Sequence, residues 1–263
     1  MSEALPGLYL GTQGFSYPSW VGAFYPEGTA STRFLEHYAT QFNTVELDTT
    51  FYGAPRASTV ARWRDQTPDG FRFAAKFPQA ITHQKALIDC GVETRAFLMT
   101  MDQLGSKLGP LLLQMPPSWT SEGFAALAAY LPGLDGFRVA LEVRHRSWLS
   151  KETTPRLLEL LERHGVALTL TQLAGMPALD QLTAQFTYIR WLGRRQDIPD
   201  DDYSHVRINR DAQLDGWASQ ISRYLREGVT IHAYFNNHHQ GHSPASARSL
   251  LARLEALDAR EPD

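Results

Sequence analysis

The chain is short of cysteine, of surplus charge and of long apolar runs, and each shortage removes a class of protein. Cys90 is the sole cysteine among 263 residues, so no disulfide can form within the chain, and a reducing cytoplasm is the expected setting. Lys and Arg number 25 against 28 Asp and Glu, a formal net charge of −3. That balance supplies no global pull toward nucleic acid or an anionic membrane, although local basic patches stay open to it. No uninterrupted apolar stretch is long enough to span a bilayer. MSEALPG lacks the basic start and apolar run of a secretory leader, so no signal peptide is expected. A nucleotide-binding glycine loop is missing as well: GTQGFS does not have the G-x-G-x-x-G spacing, and no G-x-S-x-G elbow occurs.

What is present is a recurring pattern of apolar, strand-like runs that gather polar groups at their C-terminal ends. LYLGTQGFSY ends on Gln13 and Ser16, FNTVELDTTFY carries Glu46 and Asp48, and FRFAAKFP carries Lys76. PLLLQMPP ends on Gln114, RVALEVRHRSW carries Glu142, Arg144 and His145, and VALTLTQ ends on Thr171 and Gln172. FTYIRWLG carries Arg190, and VTIHAYFNNHH ends on Asn236 and Asn237. Helical segments are expected near residues 31–41, 56–65, 92–106, 121–130, 152–164 and 213–226, with a last helix starting near Pro244. Ser31 or Thr32, Thr120 or Ser121, and Ser243 are the expected caps. Such alternation implies a parallel sheet with right-handed crossovers. The fold class is α/β, a single (β/α)8 TIM barrel over residues 1–263, with its core at about 8–257 and a charged tail at 258–263. The connection between strands six and seven is too short for a full helix, and the stretch 192–212 has the length of a lid or binding loop.

The segments GTQGFSYPSWVGAFYP, FNTVELDTTFYGAP, GFRFAAKFPQAITH, LGPLLLQMPPSW, ALEVRHRSW and YFNNHHQGHSPASA resemble the signature blocks of the YecE-like proteins, domain-of-unknown-function family 72. The resemblance runs from about Leu8 to about Leu251. It implies a TIM barrel and brings no established activity with it. Those proteins usually show Asn-Ser where this chain has Asp48-Thr49, and often an acid near Gln172, so neither Asp48 nor Gln172 is assigned to a shared site.

Strand periodicity places Ala140, Glu142 and Arg144 on one face of strand five, with Val139, Leu141 and Val143 on the other. Helices cover the apolar outside of a barrel, so Glu142 is expected inside, near the top, as a catalytic acid or base. Lys76 and Arg190 hold matching positions on strands three and seven and are the expected counter-charges. Glu46 supplies a second carboxylate for acid–base work or glycoside cleavage, and an ion pair with Lys76 is its structural alternative. Lys76 is expected to act as a cation, with a Schiff base as the other role that barrel lysines take. Arg190, Arg144, Asn236, Asn237, Gln114, Tyr17, Tyr52, Trp148 and His83 complete a substrate-binding set, with Phe15, Trp20, Phe51 and Trp191 as further aromatics near strand ends. Asn236 and Asn237 lead into a helix N-terminus, a place that attracts anions.

The expected function is an enzyme acting by acid–base chemistry on a small anionic ligand, such as a phosphorylated sugar or nucleotide, by hydrolysis, isomerisation or lyase chemistry. No cofactor is predicted. A divalent metal held by His238, His239, His242 and His83 with a carboxylate would instead give a phosphoesterase or nuclease. A non-catalytic module that holds a ligand or a partner is the third reading. The expected partner is a small-molecule anion; the net charge does not favour nucleic acid, and no membrane partner is expected.

Overall fold

In the computed structural model, eight parallel strands close into a barrel in the order β1 to β8. The structure describes residues 5–173, 175–177, 179–198 and 202–259. The strands are β1 (Leu8–Gln13), β2 (Thr44–Leu47), β3 (Arg72–Lys76), β4 (Leu108–Gln114), β5 (Val139–Glu142), β6 (Ala167–Gln172), β7 (Phe186–Trp191) and β8 (Thr230–Phe235). The helices are α1 (Phe34–Tyr38), α2 (Ala57–Asp65), α3 (Gly91–Asp102), α4 (Phe124–Tyr130), α5 (Thr153–Arg163), α6 (Asp211–Arg226), α7 (Asn237–Gln240) and α8 (Ser243–Asp258). Among the described residues no helix is long and apolar enough to cross a membrane. Of the tail expected at 258–263, residues 260–263 lie outside the described residues.

The described residues fall into two compact units. The first comprises Met1–Val45, Gln172–Ala174 and Ile189–Asp263. Here β1 runs parallel to β8, with Gly11 opposite Tyr234 and Thr12 opposite Phe235. Gly11 must be glycine, because a Cβ would strike the carbonyl oxygen of Thr44. The Asn43 carboxamide extends the pairing below β2, accepting from Leu10 N–H at 3.2 Å and donating to the Leu8 carbonyl at 2.8 Å. Leu214, Ala218 and Ile221 form the buried stripe of α6, at the spacing an amphipathic helix requires.

The second unit comprises Glu46–Thr171 and Gly175–Tyr188. Its sheet registers Lys76 with Leu112, Gln114 with Glu142, and Ala140 with Ala167. A shift between Phe73 and Ala75 interrupts the β3–β4 ladder. From Gly109 onward β4 is buried along its whole length, as its unbroken apolar run demands. Among the described residues the β6–β7 connection holds no helix. In its place the Thr183 hydroxyl donates to the Val166 carbonyl at 2.7 Å and accepts from Leu168 N–H at 2.8 Å, closing the start of β6.

Several expected caps are corrected. Ser31 and Thr32 lie inside a 3-10 turn, Ser31–Arg33, that leads into α1, and no side chain caps either element. Thr120 makes no capping bond; the Ser121 N–H is taken by Ser147 Oγ at 2.8 Å. Helix α3 stops at Asp102, before a left-handed bend at Gly105 with φ +57°. The buried Lys107 ammonium that follows donates to the carbonyls of Arg64 and Thr67 at 2.6 and 2.5 Å, satisfying the C-terminal end of α2.

Candidate functional site

In the second unit, charge gathers beyond the C-terminal ends of β3 and β5. Glu142, the last residue of β5, is fully buried, and Arg144 Nε donates to its Oε1 at 2.5 Å. A carboxylate at zero exposure needs such a partner, because desolvation otherwise favours its neutral form. Lys76, the last residue of β3, places its ammonium 3.8 Å over the ring of Phe51, and the His83 ring meets the same phenyl edge-on at 4.9 Å. His83 sits in a single π-type turn, Ala80–Gln84, closed by Lys85 N–H donating to the Ala80 carbonyl at 3.1 Å. Its Nδ1 is 2.8 Å from the Thr82 hydroxyl. Burial, then the charges of Lys76 and Arg144, hold the His83 imidazole below its ordinary range. The imidazole is therefore neutral at neutral pH and able to accept a proton. Three non-glycine residues just beyond it, Ala86, Leu87 and Asp89, have φ of 48°, 71° and 48°, a strained backbone of the kind found at functional sites.

Glu46 is also fully buried in this unit and accepts from Tyr188 Oη at 2.8 Å. The two strands involved, β2 and β7, are not neighbours in the barrel order. The sequence reading had not singled out Tyr188. Position 188 reads as a core aromatic in FTYIRW, and a phenol directed at a carboxylate leaves no mark in the pattern.

Other members of the expected set lie elsewhere or are already engaged. Trp148 has no exposure: it stacks on Trp119 at 4.4 Å and donates through Nε1 to the Trp119 carbonyl at 2.9 Å, so it packs beneath the loops and does not face a ligand. Tyr52 is the opposite case, 80% exposed. Gln114 is buried and donates to the Met115 carbonyl at 2.8 Å. Asp48 is half-buried at the N-cap position of the turn Thr49–Tyr52, where its side chain makes no capping bond.

In the first unit, Arg190 is buried near the end of β7. Gln172 accepts from Trp217 Nε1 at 3.0 Å and donates to Gln213 Oε1, which ties it to α6. Trp191 lies flat on Phe235 at 4.0 Å, inside the core. Asn237 Oδ1 accepts Ser243 N–H at 3.0 Å and Ser243 Oγ at 2.7 Å, while its Nδ2 has no hydrogen-bond partner among the described residues. Since Pro244 follows and has no N–H, those two bonds occupy the first donors of α8 that an anion would use. Asn236 caps the one-turn helix α7, which the sequence reading missed, and Tyr17 donates to the Gln13 carbonyl at 2.8 Å.

The three clustered histidines have different bonding partners. His238 contacts Asn236 and Tyr203, His239 packs against Phe235, and His242 Nδ1 lies 2.6 Å from the Tyr203 carbonyl. Among the described residues no group of three His, Cys, Asp or Glu side chains could hold a metal ion. The segment from 202 to 210 is stitched to α7: Arg207 and Ile208 N–H donate to the Gln240 carbonyl at 2.6 and 3.2 Å, and Arg210 Nε donates to the His239 carbonyl at 2.6 Å.

A closed barrel of eight parallel strands with helices between them is the (β/α)8, or TIM-barrel, fold. The chain belongs to the family described as protein of unknown function DUF72, whose model matches residues 9–263. It is 39% identical over 161 residues to UPF0759 protein YecE of Escherichia coli K12, covering 60% of this chain and 57% of that protein. That match thus spans less than two thirds of the length of YecE. UPF0759 protein YunF of Bacillus subtilis 168 is 25% identical over 270 residues, covering 94% of this chain and 95% of YunF. The crystal structure of a DUF72 family protein from Thermotoga maritima MSB8 superposes with a TM-score of 0.75 at 26% identity, covering 95% of this chain and 98% of that one. The DUF72 family protein from Enterococcus faecalis V583 shares the fold, with a TM-score of 0.79 at 22% identity over 94% and 95% of the two chains.

Proposed function

We propose that this protein is an enzyme that binds a small anionic ligand, of the class of a phosphorylated sugar or nucleotide, at the cluster of Lys76, His83, Arg144 and Glu142, and acts on it by acid–base chemistry. The observation that carries the reading is the neutral His83 imidazole lying under the combined field of Lys76 and Arg144. Two cations held near a half-buried base attract an anion, and burial together with the same cations keeps that base deprotonated. Glu142 in this reading orients Arg144 through the 2.5 Å ion pair, and its carboxylate is the second proton-transfer group. Glu46, held by Tyr188, is a further buried carboxylate within the same unit. Hydrolysis, isomerisation and elimination all use such a pair of groups, and the choice among them belongs to the ligand.

The experiment is a thermal-shift and calorimetric series with inorganic phosphate, sugar phosphates and nucleoside monophosphates, followed by turnover assays on every binder. Binding that raises the melting temperature of the wild type and is lost in Lys76→Met supports the reading. In Glu142→Gln, turnover of any substrate so found is expected to vanish with little change in melting temperature. Equal binding by wild type and Lys76→Met, or full turnover by Glu142→Gln, would refute it.

A further inference from the structure

The C-terminal ends of β1 and β8 hold a hydrogen-bond chain whose polarity can be followed atom by atom, entirely within the first unit. Asn236 Oδ1 accepts the backbone N–H of His238 at 2.8 Å. A backbone N–H can only donate, so this bond fixes which end of the Asn236 carboxamide is oxygen. The other end, Nδ2, donates to Gln13 Oε1 at 2.9 Å. Gln13 must then present its own Nε2 on the remaining side. The Gln13 side chain is 3% exposed, and its Nε2 has no hydrogen-bond partner among the described residues. In the opposite direction, His238 Nδ1 lies 2.8 Å from the same Asn236 Oδ1 and so carries a proton, while Nε2 lies 3.2 Å from Tyr203 Oη. The chain Tyr203–His238–Asn236–Gln13 ends on a buried donor.

Aromatic rings lie beside the Gln13 main chain. Gly14 turns the backbone into the left-handed region, with φ +72°, and brings the Tyr17 hydroxyl back onto the Gln13 carbonyl at 2.8 Å. A Cβ at position 14 would press on that hydroxyl. Tyr17 is half-buried, with Trp20 at 4.7 Å and Tyr203 edge-on at 5.7 Å. Ser19 Oγ accepts from Tyr203 N–H at 3.2 Å and holds the two segments together.

We propose that Gln13 Nε2 is the recognition donor of a binding position for a neutral polyhydroxy ligand, of the chemical class of a sugar, with the Tyr17 ring against its C–H face. A buried N–H calls for an acceptor oxygen. An uncharged carboxamide matches a hydroxyl or carbonyl oxygen, whereas it leaves the charge of a phosphate unbalanced. An aromatic ring beside a polar donor suits a ring with one apolar face. This position stands on the first unit alone and does not depend on the anion site.

The test uses the full chain, with D-glucose, D-galactose and D-ribose as probes and inorganic phosphate in parallel, followed by calorimetry and by the side-chain amide resonances. Gln13→Glu keeps an oxygen for Asn236 Nδ2 and replaces the free donor by an acceptor. At least one sugar is expected to bind the wild type at millimolar concentration, and Gln13→Glu is expected to weaken it about tenfold or more. In the wild type, where folding is not in question, the Gln13 side-chain amide resonance is expected to shift with that sugar and to stay in place with phosphate. Binding of none of the sugars, which would leave only water on Nε2, overturns the proposal. So does undiminished binding by Gln13→Glu, or a phosphate-induced shift as large as that given by the sugar. Loss of phosphate binding in Lys76→Met reports on the other site and leaves this result untouched.

Discussion

Glu142 and Arg144 show how position alone sets a residue's behaviour. The two are separated by one residue on the strand exit, yet the acid is fully buried and its partner only partly so. Removing the cation leaves a buried charge with less compensation, whereas neutralising the acid removes the need for it. Arg144→Met should therefore cost about 2 kcal/mol, a value at the low side of a buried pair because Arg144 keeps some solvent, and Glu142→Gln should cost less. Urea unfolding of both variants checks the order; a larger loss for Glu142→Gln would contradict it. Periodicity anticipated the burial of Glu142 because alternation along a strand is readable from sequence. It did not separate the buried Trp148 from the exposed Tyr52, because an aromatic residue after a strand end carries no sign of whether a loop folds over it. It passed over Tyr188 and Gln13 as partners because hydrogen bonds between strands depend on barrel closure, which no local pattern encodes.

Among the elements, the strands were the most legible and the caps the least. Runs such as LLLQ and TYIRW are buried from end to end, and burial on both faces leaves an unbroken apolar signal. Capping needs a side chain to reach a particular N–H, and here the reach comes from far along the chain: Ser147 serves Ser121, and Lys107 serves the end of α2. Lys107→Met should leave the carbonyls of Arg64 and Thr67 without their donor and lower stability by about 2 kcal/mol, measured by urea unfolding. A cost below about 0.5 kcal/mol would mean that solvent replaces the ammonium. The turn after β3 is strained. Ala86→Gly should raise stability by up to about 1 kcal/mol in urea unfolding, because relief of a left-handed alanine outweighs glycine's extra chain entropy. At Gly193 an added Cβ would collide with the His238 carbonyl oxygen, so Gly193→Ala should lower stability by about 1–3 kcal/mol.

For the whole molecule, acid is the expected weakness. His239 is fully buried, and burial with the Arg210 charge pulls its pKa down to about 3, against the side chain of Gln240. Burial also lowers His242 and His83. A lowered folded-state pKa means that the unfolded chain binds more protons, so stability is fully present above the ordinary imidazole value of about 6.5 and falls as the pH drops below it. For His239 alone the loss by about pH 5 is about 2 kcal/mol. His239→Gln should flatten the dependence of the melting temperature on pH between about 7 and 5, and an unchanged slope would remove His239 as its source. The most direct test of the functional reading is the titration of His83, followed by NMR of its imidazole in the wild type and in Lys76→Met. A pKa below about 6.5 that rises when the Lys76 charge is removed is the predicted result. A value at or above about 6.5 in the wild type, or one that Lys76→Met leaves in place, would contradict the placement of a neutral base beneath two cations.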